Sequence, residues 1–366
     1  MTNPNLEESD LTRSGSAAAS TSGPADAASG RVPLDQEQRP GSLAWIRRLL
    51  FRLLREAGIS VALVAMIATF AVIAPHFTDR ENITNIFTQI SINVIIATGE
   101  TFVILIAQID LSVGSVLALC AMVAGLVIKS HALPVELAIT CAILASALVG
   151  MACGFVNGFI TSFWRVPSFI VTLGMLNIAR GAALEVTNAR TLFEFPDQFN
   201  NFGTATVLGV PSIFVLALAL VALGWLVLTK TVFGRMVYAI GNNEEAVRLS
   251  GHNTFGYKIA VFTIAGLMVG IGAIAYMARL TISSPILGGG FELNAIAAVI
   301  IGGTSLFGGR GSLIGTLLGA AVIGVLSDGL ILMGVGDFIR QMVTGGVIIV
   351  AVLLDTYRAR LVERSR

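Results

Sequence analysis

The sequence from about residue 58 to residue 354 consists of long apolar runs separated by short polar connections. A helix needs about 20 apolar residues to cross the roughly 30 Å hydrocarbon core of a bilayer. Over the whole chain 55% of the residues are hydrophobic and only 12% are charged, whereas a soluble domain carries about 25% charged residues. So few charges cannot cover the surface of a soluble fold, and the apolar runs are therefore predicted to face lipid.

The apolar runs predict an all-α fold, a polytopic membrane helix bundle with about ten transmembrane helices. Their approximate limits are 58–74, 88–107, 111–128, 135–160, 166–186, 213–229, 257–278, 292–307, 312–333 and 338–354. Lys and Arg are enriched in the cytoplasmic segments of membrane proteins. With these spans, 14 of the 23 Lys and Arg residues fall in segments on one side and 6 on the other face or its helix ends. The split predicts that both termini are cytoplasmic.

The flanks of the transmembrane domain (58–354) have a different composition. Residues 1–41 are rich in Ser, Ala, Gly, Pro and acidic residues, which is typical of a disordered tail, here a cytoplasmic one. In residues 42–57, four arginines alternate with Leu and Phe at helical spacing, which predicts a basic helix lying at the membrane interface. Residues 355–366 are predicted to form a second cytoplasmic tail.

Several kinds of site have no support in the sequence. The three cysteines are dispersed in apolar runs and the three histidines are scattered, so neither a disulfide framework nor a metal site is indicated. No basic patch for nucleic acid is present. Lys230-Thr231 lacks the second Gly that a phosphate-binding P-loop requires upstream. The chain is therefore expected to bind no cofactor and to hold no ATPase site of its own.

Two series of glycines are spaced four residues apart, at 150, 154 and 158 and at 311, 315 and 319. Small residues at this spacing let the backbones of two membrane helices approach closely. The pattern favours tight helix packing over a direct role in ligand binding.

The loop from 230 to 257 is the longest polar stretch between two late spans. Within it, Glu244 to Ser250 is predicted to form a short helix with Asn242 or Asn243 as its N-cap and Gly251 at its end. Such a helix could dock onto a partner protein, or the loop could be a solvated connector.

Polar residues inside membrane spans are functional candidates because burying them in lipid is unfavourable. Glu100 and Asp328 could hydrogen-bond between helices or line a pathway, and Asp110 could cap the following helix or contact a substrate. Arg180 could pair with Glu185 or face a vestibule. The full set of candidate pathway or structural residues is Asn93, Glu100, Asp110, Ser112, Asn177, Arg180 and Asp328.

Four segments in order resemble the permeases of sugar-type ABC importers, the ribose, xylose, galactose and arabinose family. They are Ile109-Asp-Leu-Ser-Val-Gly-Ser115, Val166-Pro-Ser-Phe-Ile-Val-Thr-Leu-Gly-Met175 with Ala179-Arg-Gly181, Glu245-Ala-Val-Arg-Leu-Ser-Gly251, and Glu292 to Leu306 with Gly308-Gly-Arg-Gly-Ser312. The chain departs from the family pattern at Gln108, where Gly is usual, and at His252 and Asp328, where Ile and Asn are common.

The resemblance implies a multi-pass permease of the bacterial inner membrane that works as a homodimer. It receives its solute from a periplasmic binding protein and is driven by an ABC ATPase subunit, which uses ATP and Mg. The residues that would couple it to the ATPase are Asn243, Glu244, Glu245, Ala246, Arg248, Leu249, Ser250 and Gly251.

A monosaccharide is the expected solute, since a pathway with few fixed charges suits a neutral polyol. Two alternatives stay open: an ion-coupled secondary transporter, and an ABC permease for branched-chain amino acids.

Overall fold

A computed structural model describes residues 42–130 and 132–364, with side-chain environments from residue 58 except at 354 and 358–364. The predicted tail at 1–41 lies outside the described residues. The chain divides into two compact units, residues 1–47 and residues 48–366. Of the first unit the structure describes only residues 42–47, which are helical. The elements of the described chain are α1 (Ser42–Ile73), α2 (Arg80–Leu105), α3 (Val113–Lys129), α4 (Val135–Phe163), α5 (Ser168–Glu185), α6 (Asp197–Thr204), β1 (Thr206–Val207), β2 (Val210–Pro211), α7 (Ser212–Lys230), α8 (Val232–Leu249), α9 (Thr254–Leu280), α10 (Phe291–Ile301), α11 (Leu313–Leu332) and α12 (Asp337–Arg364).

The prediction of an all-α membrane helix bundle is confirmed. The two strands form a small antiparallel hairpin between α6 and α7. Within the described residues, six helices are long and apolar enough to cross a membrane: α2, α4, α7, α9, α11 and residues Asp337–Tyr357 of α12. Three shorter apolar helical stretches are Gly58–Ile73, α3 and α10.

Several predicted limits were wrong. Residues 42–57 and the first predicted span belong to one helix, α1, and α12 continues through most of the predicted tail at 355–366. The span predicted at 292–307 is helical only to Ile301. A helix of 11 residues rises about 16 Å, which is half of the hydrocarbon core. The loop 230–257 is mostly helical, because α8 occupies 232–249.

Helix α2 lies at the centre of the bundle. Every residue from Ile90 to Leu105 is buried, and α2 packs against α7, α9, α10 and α11. Helix α4 packs along α9 and also contacts α3 and α5. Because α2 is covered by protein rather than lipid, polar side chains on it can be held by other helices.

The glycine series at 150, 154 and 158 packs α4 against α9, as predicted. A side-chain Cβ at Gly150 would overlap the Gly266 carbonyl, and one at Gly158 would lie 2.8 Å from the Ile259 Cα. The second series is only partly helical. Gly315 and Gly319 pack α11 against α10, but Gly311 precedes α11.

Two non-helical segments interrupt the bundle. The first break, residues 106–112, joins α2 to α3, and the second break, residues 302–312, joins α10 to α11. They touch, because a Cβ at Gly308 would lie 2.8 Å from the backbone nitrogen of Ala107. The Gly309 N–H also donates a hydrogen bond of 2.9 Å to the carbonyl of Leu105, the last residue of α2. Non-helical backbone is tolerated at membrane depth only where protein or water satisfies its polar groups.

Candidate functional site

The first break is held by side chains that accept hydrogen bonds from its backbone. The Ile109 N–H donates to Ser168 Oγ at 3.0 Å, and the Leu111 N–H donates to Thr172 Oγ1 at 3.1 Å. Ser168 and Thr172 are four residues apart on α5 and therefore lie on one face of that helix. The segments around 109–115 and 166–175, which were singled out separately in the sequence, thus meet in space.

Glu100 and Asp110 occupy the buried side of the same break. The Asp110 N–H donates to Glu100 Oε1 at 3.2 Å, and the Glu100 side chain is 0% exposed. Glu100 therefore hydrogen-bonds between α2 and the break, which is one of the two roles left open for it. A role in lining a pathway stays a prediction.

Asp110 does not cap α3 in the expected way. Its Oδ1 accepts hydrogen bonds from the Ser112 N–H at 2.8 Å and from the Ser112 hydroxyl at 2.6 Å, whereas Ser112 occupies the N-cap position without a side-chain cap bond. Asn157 on α4 donates to Ser112 Oγ at 3.0 Å. Asp110 thus fixes the turn that leads into α3, and α4 holds that turn through an amide.

Other candidates on α2 and α11 lie apart from the first break. Asn93 is buried on α2, about two helical turns before Glu100. Its Oδ1 has no hydrogen-bond partner among the described residues. Asp328 is buried on α11 and accepts a hydrogen bond of 2.9 Å from Asn82. Arg279 donates to Asn85 at 2.6 Å, one helical turn from Asn82. Asp328 therefore joins α11 to the start of α2, and a pathway role stays a prediction.

Arg180 and Asn177 lie on α5. Arg180 Nη1 donates to the carbonyls of Pro285 at 2.6 Å and Leu287 at 3.1 Å, so it binds the segment before α10. The described residues show no ion pair between Arg180 and Glu185. Asn177 is exposed and donates to the carbonyl of Leu173 in its own helix.

Helix α8 is kinked at Asn243, where φ is −162° and ψ is 95°. The Asn243 side chain accepts a hydrogen bond of 2.9 Å from the Ala246 N–H, and Gly251 has φ +82°. These are an N-cap and a left-handed C-terminal residue. The predicted short helix is confirmed, with Asn243 as its cap. We call residues 244–249 the loop helix.

Ion pairs hold the loop helix. Glu245 pairs with Arg248 at 2.5 Å, and Glu244 pairs with Lys258 of α9 at 2.6 Å. The hydrogen bond from Arg248 lowers the pKa of the exposed Glu245 carboxyl. Leu249 at the end of the helix is 78% exposed. The loop helix therefore has capped ends and a charged surface, and the apolar side chain of Leu249 is exposed at its C-terminal end.

The first half of α8 (residues 232–242) was not predicted as a helix, and it packs against the end of α2 and the second break. The Tyr238 hydroxyl donates to the Gly311 carbonyl at 3.0 Å, and the Asn242 amide donates to the Gly309 carbonyl at 3.4 Å. A Cβ at Gly241 would overlap the carbonyl oxygen of Leu105. Movement of the loop helix can therefore reach the end of α2 and the second break through one short helical segment.

Sequence reasoning did not name Ser168, Thr172, Asn157 or Tyr238. A signal was present for the first three. Ser168 and Thr172 have helical spacing within the segment 166–175, and Asn157 is the one amide in the apolar span 135–160. Nothing in the sequence pattern indicated that Tyr238 faces a backbone carbonyl.

Comparison with known proteins identifies the family of the chain. Residues 82–352 match the family described as branched-chain amino acid transport system / permease component. The ribose import permease protein of Escherichia coli (strain K12) is 41% identical over 300 residues, covering 81% of this chain and 92% of that protein. The D-allose transport system permease protein of the same organism is 37% identical, covering 80% and 89% of the two chains. The L-arabinose ABC transporter permease protein of Azospirillum brasilense is 32% identical, covering 84% and 90%. No solved structure gives a significant match.

The family match extends over both breaks, α8 and the loop helix, and the described fold supplies the membrane-length apolar helices of a multi-pass inner-membrane protein. The chain belongs to the family of ABC-importer permeases that includes the ribose, allose and arabinose permeases.

Proposed function

We propose that the chain forms the transmembrane pathway of an ATP-driven ABC importer and that its solute is a monosaccharide. Relatives that carry the names of ribose, allose and arabinose permeases support the solute class, since each aligns over 80% or more of this chain. The solute would be delivered by a periplasmic binding protein, and ATP with Mg would be used by a separate ATPase subunit. Two copies of the chain would enclose one pathway.

The topology proposed for this permease has ten spans and cytoplasmic termini. The spans are residues 58–73 of α1, then α2, α3, α4, α5, α7, α9, α10 with the second break, α11 and α12. The 14-to-6 distribution of Lys and Arg supports this orientation. It places α8 and the loop helix on the cytoplasmic side, together with the basic helix at 42–57.

The observation that carries the coupling role is the position of the loop helix at the end of α8. The loop helix is capped at Asn243 and Gly251, and the preceding part of α8 contacts the end of α2 and the second break through Tyr238, Gly241 and Asn242. An ATPase that binds the loop helix would therefore act next to a helical segment seated on the end of α2 and on the second break. Through this contact, movement of the loop helix would be transmitted to the pathway, as alternating access requires.

Gly251 provides a sharp test of the coupling role. It has φ +82° and open space where a Cβ would lie, so a replacement is strained by its backbone conformation and not by a clash. Asn tolerates this left-handed conformation, whereas the β-branched Val does not. The matched pair is Gly251→Asn and Gly251→Val, with Glu245→Lys as a second variant that reverses the charge facing Arg248.

The assay is solute uptake and ATP hydrolysis by the permease reconstituted with its ATPase and binding protein. Gly251→Val and Glu245→Lys are expected to lose uptake while the permease inserts normally, and Gly251→Asn is expected to retain it. Normal coupled uptake in both Gly251→Val and Glu245→Lys would refute the coupling role. Uptake driven by an ion gradient without ATPase would support the secondary-transporter alternative instead.

A branched-chain amino acid is the second candidate solute, because the description of the matching family names it. Binding-protein-dependent uptake with a panel of pentoses, hexoses and branched-chain amino acids distinguishes the two. Uptake confined to the amino acids would overturn the proposed sugar.

A further inference from the structure

The segment that joins α9 to α10, residues 281–290, lies inside the bundle beside α3. We call it the α9–α10 segment. The Ser283 hydroxyl donates to the sulfur of Met122 at 3.2 Å, and a Cβ at Gly288 would lie 2.5 Å from the carbonyl oxygen of Gly114. Met122 and Gly114 are eight residues apart on α3, which is about 12 Å along the helix axis. The α9–α10 segment therefore follows α3, one of the predicted spans, and lies at membrane depth.

The α9–α10 segment exposes polar backbone on one side. Gly289 is exposed, and its N–H and carbonyl have no hydrogen-bond partner among the described residues. Gly290 has φ +84°, and nothing lies within 4 Å of the position that its Cβ would take. Non-helical backbone is tolerated at membrane depth only where protein or water satisfies its polar groups. The exposed side of the segment is therefore expected to face water or another protein, and not lipid.

The exposed face of α5 is polar at the middle of the helix. Gly174, Asn177 and Gly181 are exposed, and their spacing places them on one face. A Cβ at either glycine would have nothing within 4 Å. An amide that faces lipid at the middle of a span is unfavourable, so this face is also expected to meet water or protein.

Helix α4 shows what a lipid-facing surface of this bundle looks like. Between residues 143 and 156 the exposed residues of α4 are all apolar, namely Ile143, Leu144, Leu148, Ala152, Phe155 and Val156. Both helices have an exposed face, but only the face of α5 carries an amide between two glycines. The exposed faces of α4 and α5 are therefore expected to have different surroundings.

Arg180 joins α5 to the α9–α10 segment and leaves part of its guanidinium available. Both of its hydrogen bonds, to the carbonyls of Pro285 and Leu287, use Nη1. Glu292 lies in the first turn of α10, where its Oε1 accepts a hydrogen bond of 3.3 Å from the Gly290 N–H. The charges of Arg180 and Glu292 interact without a direct ion pair in the described chain. Both side chains are half-buried, so a ligand can reach them.

From the exposed backbone of the α9–α10 segment, the polar face of α5 and this pair of opposite charges, we propose that the surface lines the solute pathway and binds a neutral polyol. Asn177, Arg180 and Glu292 would form hydrogen bonds with sugar hydroxyls, which both donate and accept. The two charges sum to zero, so the pair gives a charged solute no net attraction. The pathway, and the second copy that would supply its opposite wall, rest on the proposed function.

Reaction of introduced cysteines with a charged, water-soluble thiosulfonate reagent tests the wall on the full-length chain in nanodiscs, where both sides are accessible. The native cysteines, Cys120, Cys141 and Cys153, are first replaced by Ala. Gly174→Cys and Gly181→Cys are expected to react about tenfold or more faster than Ala152→Cys, because the reactive thiolate forms in water and not in lipid. Ala152→Cys is the matched control on the exposed face of α4. Circular dichroism and a monodisperse elution profile check that each variant folds.

Protection of Gly181→Cys from the same reagent tests the ligand. The probes are D-ribose, D-allose and L-arabinose, which appear in the names of the relatives, and L-leucine as an amino acid. At least one sugar is expected to slow the reaction. Adding Glu292→Gln is expected to raise the half-protecting sugar concentration about tenfold or more, and Asn177→Ala about fivefold, because a charged and a neutral hydrogen bond are lost. Glu136→Gln, at a first-turn glutamate of α4, is the matched control and is expected to change nothing.

Two labelling results would overturn the wall: equal rates at the α5 and α4 positions, or disulfide-linked dimers through Gly181→Cys that exclude the reagent. The second result would mean that two copies meet directly at this face. Three protection results would overturn the polyol site: no protection by any of the sugars, protection by L-leucine alone, or an unchanged half-protecting concentration in Glu292→Gln. Absence of ATP-driven uptake by the reconstituted importer would count against the proposed function alone, because the nanodisc assays use no ATPase.

Discussion

Replacing Thr172 by Val removes one hydroxyl from the support of the first break and keeps the shape of the side chain. Thr172 is buried on α5, and its Oγ1 accepts a hydrogen bond of 3.1 Å from the Leu111 N–H. Val leaves that backbone N–H without its acceptor in the interior of the bundle. The break has no helical or sheet ladder to provide another partner.

The expected destabilisation is about 1–2 kcal/mol. A buried donor left unpaired costs about 1–3 kcal/mol, but hydrogen bonds between membrane helices average only about 0.6 kcal/mol because the unfolded state also finds partners. Leu111 is half-buried, so water reaches part of its surroundings. The lower part of the range of about 1–3 kcal/mol for an unpaired donor therefore applies.

Thr98→Val provides the matched control. Thr98 is equally buried on α2, but its hydroxyl donates to the Val94 carbonyl four residues earlier, and that carbonyl already accepts a helical N–H bond. Such a hydroxyl adds little to helix stability, so the expected change is under about 0.5 kcal/mol.

The measurement is the free energy of unfolding from titration with sodium dodecyl sulfate in mixed micelles, followed by circular dichroism. A larger loss for Thr172→Val than for Thr98→Val is expected. Equal losses, or no loss at Thr172, would refute the idea that α5 hydroxyls hold the first break.

Three further predictions concern α8 and its surroundings. Gly241→Ala should lower the free energy of unfolding by about 1–3 kcal/mol, because its Cβ would overlap the carbonyl of Leu105 at the end of α2. Gly256→Ala, whose Cβ would have its nearest neighbour at 3.9 Å, should be neutral or slightly stabilising in the same titration, and equal effects of the two substitutions would contradict the packing. Asn243→Ala should destabilise the loop helix by about 1 kcal/mol through loss of its cap, seen as faster hydrogen exchange of its amides and not elsewhere in the bundle. Arg248→Gln should raise the pKa of Glu245 toward the ordinary value, measured by carbon NMR of labelled glutamate. Since the folded-state pKa of Glu245 is depressed, the stabilisation by this carboxylate is present above the unfolded pKa and is lost as pH falls through the folded pKa. The same pKa of Glu245 in Arg248→Gln as in the unchanged chain would contradict the pairing.

The placement of helices followed closely from the sequence. Each of the ten predicted spans overlaps a helix, because long apolar runs leave the backbone no alternative partner in a bilayer. The limits that were wrong, at α10 and α12, are places where apolar composition does not determine where a helix ends. Residues 302–307 include Gly302 and Gly303 and lie at the second break, but they also include Leu306 and Phe307, so the apolar run extends past the end of the helix.

The candidate site was only partly predictable. Asn243 and Gly251 were found because caps are local, and their chemistry is set by residues within one turn. Ser168 and Thr172 were missed as supports of the break because their partners are about 60 residues away in sequence, at Ile109 and Leu111. Periodicity places a hydroxyl on a helix face, but it does not identify what that face contacts.

The sequence by itself determined that the chain is a membrane helix bundle, where the apolar helices lie and which short segment has the caps of a loop helix. These properties depend on composition and on interactions within one or two helical turns. Only the tertiary structure decided that the two breaks touch and that the first half of α8 rests on the end of α2 and on the second break. Contacts between distant segments depend on how helices pack, and packing is set by the shapes of all the neighbouring surfaces at once.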